Sequence, residues 1–432
     1  MFPNVQHKLG VVFFPAFDWA ISPTHPEREE RLLYTQDQLY EEGIFDIPGI
    51  QEYQPSLSTY CDIESVHFCL PNVGAVCSNS HLASAGGAIH ASKLVLTGEV
   101  ERAFAIIRPP GHHAMRVTYG NRGFCNINIE AVMVEHIRQT YKKQKIAIVD
   151  TDCHHGDGTQ DIYWNDPNVL FISLHQDGRT TYPGTGFLEE VGGPAALGKT
   201  VNIPLPPGTG NEGYLYAMEH VVLPILDEFQ PDIIINSAGQ DNHYTDPLTN
   251  MYLTAEGYAC MTQMLKPDIA VLEGGYSIQG ALPYVNLGIC LALAGLPFSY
   301  LQEPDLDKVD ICQPKRVTET IKKVCEQALS QYFYPPVKPY DGQQDGCWWV
   351  RNRTIYYDTD MIHDTQYERI RLCKTCNGLT AIETKSTCLD EALCLLFPRG
   401  ACSSCCSEAE SLKRQWVQTR NSNILEINPN KS

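Results

Sequence analysis

Six short apolar runs, five of them leading straight into polar and titratable residues, limit this chain more than any other feature. The runs are Val11–Phe14, Ala103–Ile107, Ile146–Val149, Val169–Ile172, Ile233–Ile235 and Ile269–Leu272. They are continuous rather than alternating, as strands covered on both faces require. Between them lie stretches of helical character such as His81–Leu96 and Gly213–Phe229. The second has apolar residues at Leu215, Met218, Val221, Val222, Ile225 and Leu226, a helical spacing, and Pro224 predicts a kink or restart there. Strand and helix alternate, so the expected fold class is α/β: a parallel sheet flanked by helices in three layers.

The segments just beyond the runs carry the chemistry. Arg108-Pro-Pro-Gly-His112-His113 comes after the second run, and Asp150-Thr-Asp152-Cys-His154-His155-Gly-Asp157-Gly after the third. Ser173-Leu174-His175 comes after the fourth, Asn236 through Asp241 to His243 after the fifth, and Glu273-Gly-Gly-Tyr276 after the sixth. Open α/β sheets collect their sites along the carboxyl edge.

Asp152 and His154 are two residues apart, which at an extended strand end places both on one face. Asp241 ends another strand at the same edge and completes an Asp, His, Asp set with an open position, as catalytic zinc requires. The same donors also suit Fe(II), Mn(II) or Co(II). His112 and His113 offer a general base, and Asp150 and Asp157 are surplus carboxylates that can each fix one imidazole. Tyr276, behind two glycines, is a candidate oxyanion donor. Cys153 alternates away from the metal and is expected in the core, as is Cys125.

At this point the sequence resembles the zinc-dependent histone deacetylase family. Arg-Pro-Pro-Gly-His-His-Ala (108–114), Gly-Phe-Cys-Asn-Ile-Asn (123–128), Asp-Thr-Asp-Cys-His-His-Gly-Asp-Gly-Thr (150–159), Tyr-Pro-Gly-Thr-Gly (182–186), Asp241 with Asp246-Pro247, and Leu-Glu-Gly-Gly-Tyr (272–276) keep the family's order. His25-Pro26-Glu27 also fits, and the likeness spans roughly residues 8–310, closer to class II and bacterial members than to class I. The resemblance implies the arginase/deacetylase fold. It implies zinc on Asp152, His154 and Asp241, His113 as general base and then acid, and His112 oriented by Asp150. Asp157 would support His113, and Tyr276 would polarise the acyl carbonyl. Phe124 and Tyr182 would line an acyl-lysine tunnel, Arg31 an acetate-exit cavity, and oxygens of Asp150, Asp152, His154, Ser173 and Leu174 a potassium site. Tyr182 stands where the family more often has Phe, and Gln240 and Asn242 flank Asp241 where hydrophobic or small residues are common. Both departures bear on substrate choice, not on the ligands. The related two-manganese arrangement is disfavoured because His155, Asn242 and His243 stand where a second metal wants carboxylates.

Charge and cysteine divide the chain. The formal net charge is −19; residues 341–432 carry 11 basic and 12 acidic side chains, which leaves −18 on residues 1–340. Acidity argues against nucleic acid as a partner and suits a cationic substrate. Of 17 cysteines, ten lie from Cys312 onward and six between Cys373 and Cys405. An odd total, with no secretory leader, favours thiols and metal binding over disulfides. Cys373-x2-Cys376 and Cys402-x2-Cys405 have the form of a four-thiolate structural zinc site, with Cys388, Cys394 and Cys406 as alternates. The Pro-rich stretch near 335–340 reads as a linker. The expected organisation is a catalytic domain over 1–335, a linker over 336–345 and a Cys-rich zinc-binding domain over 346–432.

No apolar run reaches the ~20 residues that span a bilayer, so a cytoplasmic location is expected. The expected activity is removal of acetyl or other acyl groups from lysine side chains of proteins such as histones. The alternatives are a small-molecule deacetylase acting on acetylpolyamines, and a non-catalytic acyl-lysine binder. Oligomeric state leaves no mark in the sequence.

Overall fold

The computed structural model describes residues 4–335, 345–389, 391–420 and 423–431. Most of the expected linker, 336–344, lies outside them. Strands run β1 (Leu9–Phe14), β2 (Ile50–Tyr53), β3 (Phe68–Cys69), β4 (Arg102–Ile107), β5 (Val117–Thr118), β6 (Ile146–Asp150), β7 (Val169–Gln176), β8 (Thr200–Leu205), β9 (Ile233–Ala238) and β10 (Ile269–Leu272). All but β3 and β5 form one eight-stranded sheet in the order β2-β1-β4-β10-β9-β6-β7-β8, every pairing parallel.

Burial on both faces explains the continuous apolar runs. Along β4, Phe104 and Ile106 enter one core while Ala103, Ala105 and Ile107 enter the other; along β6, Ala147 and Val149 part from Ile146 and Ile148 in the same way. Helices Asn79–Leu96 and Ile129–Thr140 cover one face. Helices Ala255–Leu265, Leu282–Ala294 and Lys315–Phe333 cover the other. Each large apolar side chain so removed from water contributes roughly 1.5–3 kcal/mol. The segment containing Pro224 stays helical from Asn211 to Phe229, but the turn at Met218–Val222 widens to π geometry just before the proline. The wider turn accommodates a residue that has no N–H to give.

A second sheet, of β11 (Trp348–Tyr357), β12 (Ile362–Arg371), β13 (Thr380–Ser386), β14 (Glu391–Leu396) and β15 (Asn423–Ile427), occupies the carboxyl-terminal part. Its strands pair in sequence order, antiparallel except for the parallel β14–β15 pair that helix Ser403–Thr419 connects. One face carries Leu379, Ala381, Leu393 and Leu395 against Ala409, Leu412 and Trp416 of that helix. The other face places Ile355, Tyr357, Ile382 and Cys394 against Phe68, Leu70, Met115, Val117 and Tyr119. Beside this shared core, Asp161 is bonded by Arg353 and lies 3.5 Å from Arg351, whose Nε is 2.5 Å from Glu368. The Tyr357 hydroxyl donates to the Val117 carbonyl at 2.6 Å.

Candidate active site

Strands β4, β10, β9, β6 and β7 are neighbours in the sheet, so the five polar clusters meet along one edge. Asp152, His154 and Asp241 each offer a ligand atom within 4.8 Å of the others, and all three are buried. Backbone N–H groups aim the carboxylates. Cys153 N–H donates to Asp241 Oδ1 at 2.7 Å, Gly274 N–H to Asp152 Oδ2 at 2.7 Å and His154 N–H to Asp152 Oδ1 at 2.8 Å. Asp241 Oδ2 is left 2.8 Å from His154 Nδ1. Glycine is needed at 274, where a Cβ would stand 2.5 Å from Asp241 Oδ2 and 2.6 Å from Asp152 Oδ2. Two buried carboxylates and one imidazole converging on a point, with no lysine or arginine bonded to either ligand carboxylate among the described residues, form a donor set that fits a divalent cation.

Beside them the rings of His112 and His113 lie 4.1 Å apart. His112 Nδ1 is 3.1 Å from Asp150 Oδ2, and His113 Nδ1 is 2.9 Å from Asp157 Oδ1. Asp157 also takes Arg122 at 2.6 Å. Burial, then the charges of His112 and Arg122, hold His113 well below the usual imidazole range. Burial raises the Tyr276 phenol well above its ordinary value, so it stays protonated. Its ring meets Phe124 edge-on at 5.5 Å, and the Arg31 guanidinium lies over its face at 5.1 Å. Arg31 is wholly buried: its Nε donates to the Gly275 carbonyl at 2.8 Å, and Glu27 pairs with it at 2.8 Å.

A cavity of about 610 Å³ opens over this cluster, lined by His25, His112, His113, Gly123, Phe124, His154, Thr181, Tyr182, Leu248, Tyr276, Asp358 and Thr359. Phe124 and Tyr182 both border this cavity. Gly123 has φ +54°, and a Cβ there would come 2.5 Å from the His113 ring and 2.9 Å from Tyr182, so the loop approaches the histidines as closely as a backbone can. Cys153 and Cys125 are fully buried, as expected. Ser173 and Leu174 lie on β7 beside Asp150, with Asp150 and Ser173 in register. Thr181, Leu248, Asp358 and Thr359 also border the cavity but lie outside every motif in the sequence, so no local signal points to them.

Far along the chain, Cys373, Cys376, Cys402 and Cys405 come together, and Cys388, Cys394 and Cys406 stay outside the group. Neighbouring sulfurs are 3.6–3.7 Å apart. That is far beyond a disulfide and close to the edge of a tetrahedron with ~2.3 Å arms. Against the burial that raises it, backbone N–H groups of Cys376 and Thr375 bring the Cys373 thiol down to about 7, near the range where a thiol becomes a ligand.

The family model for the histone deacetylase domain matches residues 52–286. A probable deacetylase of Archaeoglobus fulgidus is 46% identical over 342 residues, which span 72% of this chain and 94% of that protein. A histone deacetylase-like amidohydrolase of Pseudomonas aeruginosa is 35% identical, covering 59% of this chain and 69% of its own length. The mouse polyamine deacetylase HDAC10 is 41% identical over 45% of this chain and 30% of its own. The crystal structure of the HDA15 HD domain superposes with a TM-score of 0.65 at 30% identity, covering 76% of this chain and 97% of that one.

Proposed function

Because the chain belongs to the histone deacetylase family, we propose that it hydrolyses the acyl-lysine amides of proteins with a zinc ion held by Asp152, His154 and Asp241. Deacetylation is the activity of the family. The observation that carries it is the grouping of Asp152 and Asp241 with His154, which lines one cavity together with His113 and Tyr276.

When bound, zinc supplies Lewis acidity to a water and to the acyl carbonyl. His113 has its Nδ1 tied to Asp157, which leaves Nε2 to take a proton from the attacking water and return it to the leaving amine. His112, tied to Asp150, orients that water. Tyr276 donates its hydroxyl to the developing oxyanion. Phe124 and Tyr182 wall the methylene chain, and Arg31, with its carbonyl and Glu27 partners, marks the exit for acetate. Potassium belongs to the same proposal, on oxygens of Asp150, Asp152, His154, Ser173 and Leu174. We divide the chain into a catalytic part, 1–335, and a Cys-rich part, 346–432, whose four thiolates hold a second, structural zinc.

An acetylpolyamine is the second reading, favoured by the likeness to a polyamine deacetylase. Nucleic acid is left out, since net charge is negative. Among the described residues no helix is long and apolar enough to cross a membrane, and a cytoplasmic location remains part of the proposal. Zinc-loaded protein assayed on acetyl-lysine peptides and acetylpolyamines, with a hydroxamate control, tests the reading. Hydroxamate-sensitive release of acetate from peptides is expected. Hydrolysis confined to polyamines would replace the protein substrate with the small molecule, and no hydrolysis of either would defeat both.

A further inference from the structure

One wall of the cavity comes from outside the eight-stranded sheet. The turn between β11 and β12 belongs to the second sheet, yet its Asp358 and Thr359 border the same space as His113 and Tyr276. The turn is fastened to the loop that carries Phe124. Both oxygens of Asp358 accept the Gly123 N–H at 3.2 Å, Asp360 accepts the Asn121 N–H at 2.6 Å, and the Thr359 hydroxyl donates to Asn121 Oδ1 at 2.7 Å. The fit is close: a Cβ on Gly120 would collide with the Asp360 carboxylate.

Only neutral donors reach Asp358. Among the described residues no lysine, arginine or histidine lies within ion-pair distance of it, and the nearby Arg122 is engaged with Asp157. Arg122 and His25 act on Asp358 only from a distance, so this half-buried carboxylate, on a wall shared with Phe124, Tyr182 and Leu248, turns a negative charge without a contact partner of opposite charge toward whatever occupies the cavity. Screening is weaker beside such apolar walls than on an open surface.

We propose that Asp358 is a specificity-determining residue, which selects substrates that carry a positive charge beyond the acetylated nitrogen. The inference rests on the deacetylase reading above. The charge has two sources with one chemistry: the free ammonium of an acetylated polyamine, or a basic side chain next to the acetyl-lysine of a peptide. Either is drawn by the −18 that residues 1–340 carry.

The test uses the full-length, zinc-loaded enzyme and two substrate pairs. One is a mono-acetylated diamine and its counterpart with hydroxyl in place of ammonium; the other is an acetyl-lysine peptide with a basic or a neutral neighbour. Asp358→Asn keeps an acceptor oxygen for the Gly123 N–H and removes the charge alone. The ratio of kcat/KM, cationic over neutral, is expected to fall about fivefold for at least one pair, the upper end for a partly screened charge pair. The pair that responds names the source. Asp360→Asn takes the same charge from the same turn without bordering the cavity, and its ratios are expected to stay at the wild-type value. Unchanged ratios in Asp358→Asn, an equal fall in Asp360→Asn, or one common loss on all four substrates would overturn the proposal. Wild-type enzyme that hydrolyses none of the four would overturn the deacetylase reading and this inference with it.

Discussion

Tyr276 enters the cavity as a buried, protonated phenol, and its backbone N–H is fixed to Asp246 Oδ2 at 2.7 Å. Replacing it with Phe removes one donor and leaves the metal ligands untouched. Turnover by Tyr276→Phe is expected to fall by roughly 10²–10³ with zinc content unchanged, the loss typical of an oxyanion donor. Steady-state kinetics with metal analysis checks this; unchanged turnover would refute the role. At this scale the sequence is informative because the chemistry is local. Asp152 and His154 share a face through their spacing, and His112, His113 and Tyr276 sit beside glycines that mark close backbone approaches. Asp358 carries no such signal. It lies in a turn far along the chain from Gly123, and only tertiary packing brings the two together.

Strands are legible where both faces are apolar. The runs ending in Val149 and Leu272 match β6 and β10 within a residue. β2 and β8 escape this signal. β2 is a short edge strand whose exposure falls largely on polar residues, and β8 interrupts its apolar run with Asn202 and Pro204. The second sheet is hidden for another reason. The inner face of β12 is polar, with Asp364, Gln366 and Glu368 buried against arginines and hydroxyls, so no apolar alternation announces it. The cysteine pairs are legible because their spacing is the ligand geometry itself. Metal analysis of wild-type protein is expected to give two zinc ions per chain, and of Cys376→Ser one, with a lower melting temperature as the four-thiolate clasp between β12 and helix Ser403–Thr419 opens. One zinc in the wild type would dismiss the tail site.

Across the whole molecule, the two sheets are joined by a common core and by ion pairs that cross between them. Phe68, Val117 and Tyr119 pack on Ile355, Tyr357 and Ile382, and Asp161 answers Arg353. Separating the parts would expose that shared apolar surface and cost roughly 1.5–3 kcal/mol for each large side chain returned to water. Thermal unfolding of the zinc-loaded protein is therefore expected as one transition, seen alike by tryptophan fluorescence, to which Trp348, Trp349 and Trp416 of the second part and Trp19 and Trp164 of the first contribute, and by far-ultraviolet circular dichroism. Two separated transitions would count against the shared core. The fastening of the β11–β12 turn to the loop at Gly120–Phe124 also sets an order of events. A ribosome makes the amino-terminal sheet first, so Asp152, His154, Asp241 and the paired histidines are in hand while Asp358 and Thr359 are still unsynthesised. Of all the residues around the cavity these two are translated last, so a nascent chain owns its hydrolytic centre before it owns the wall that chooses what enters.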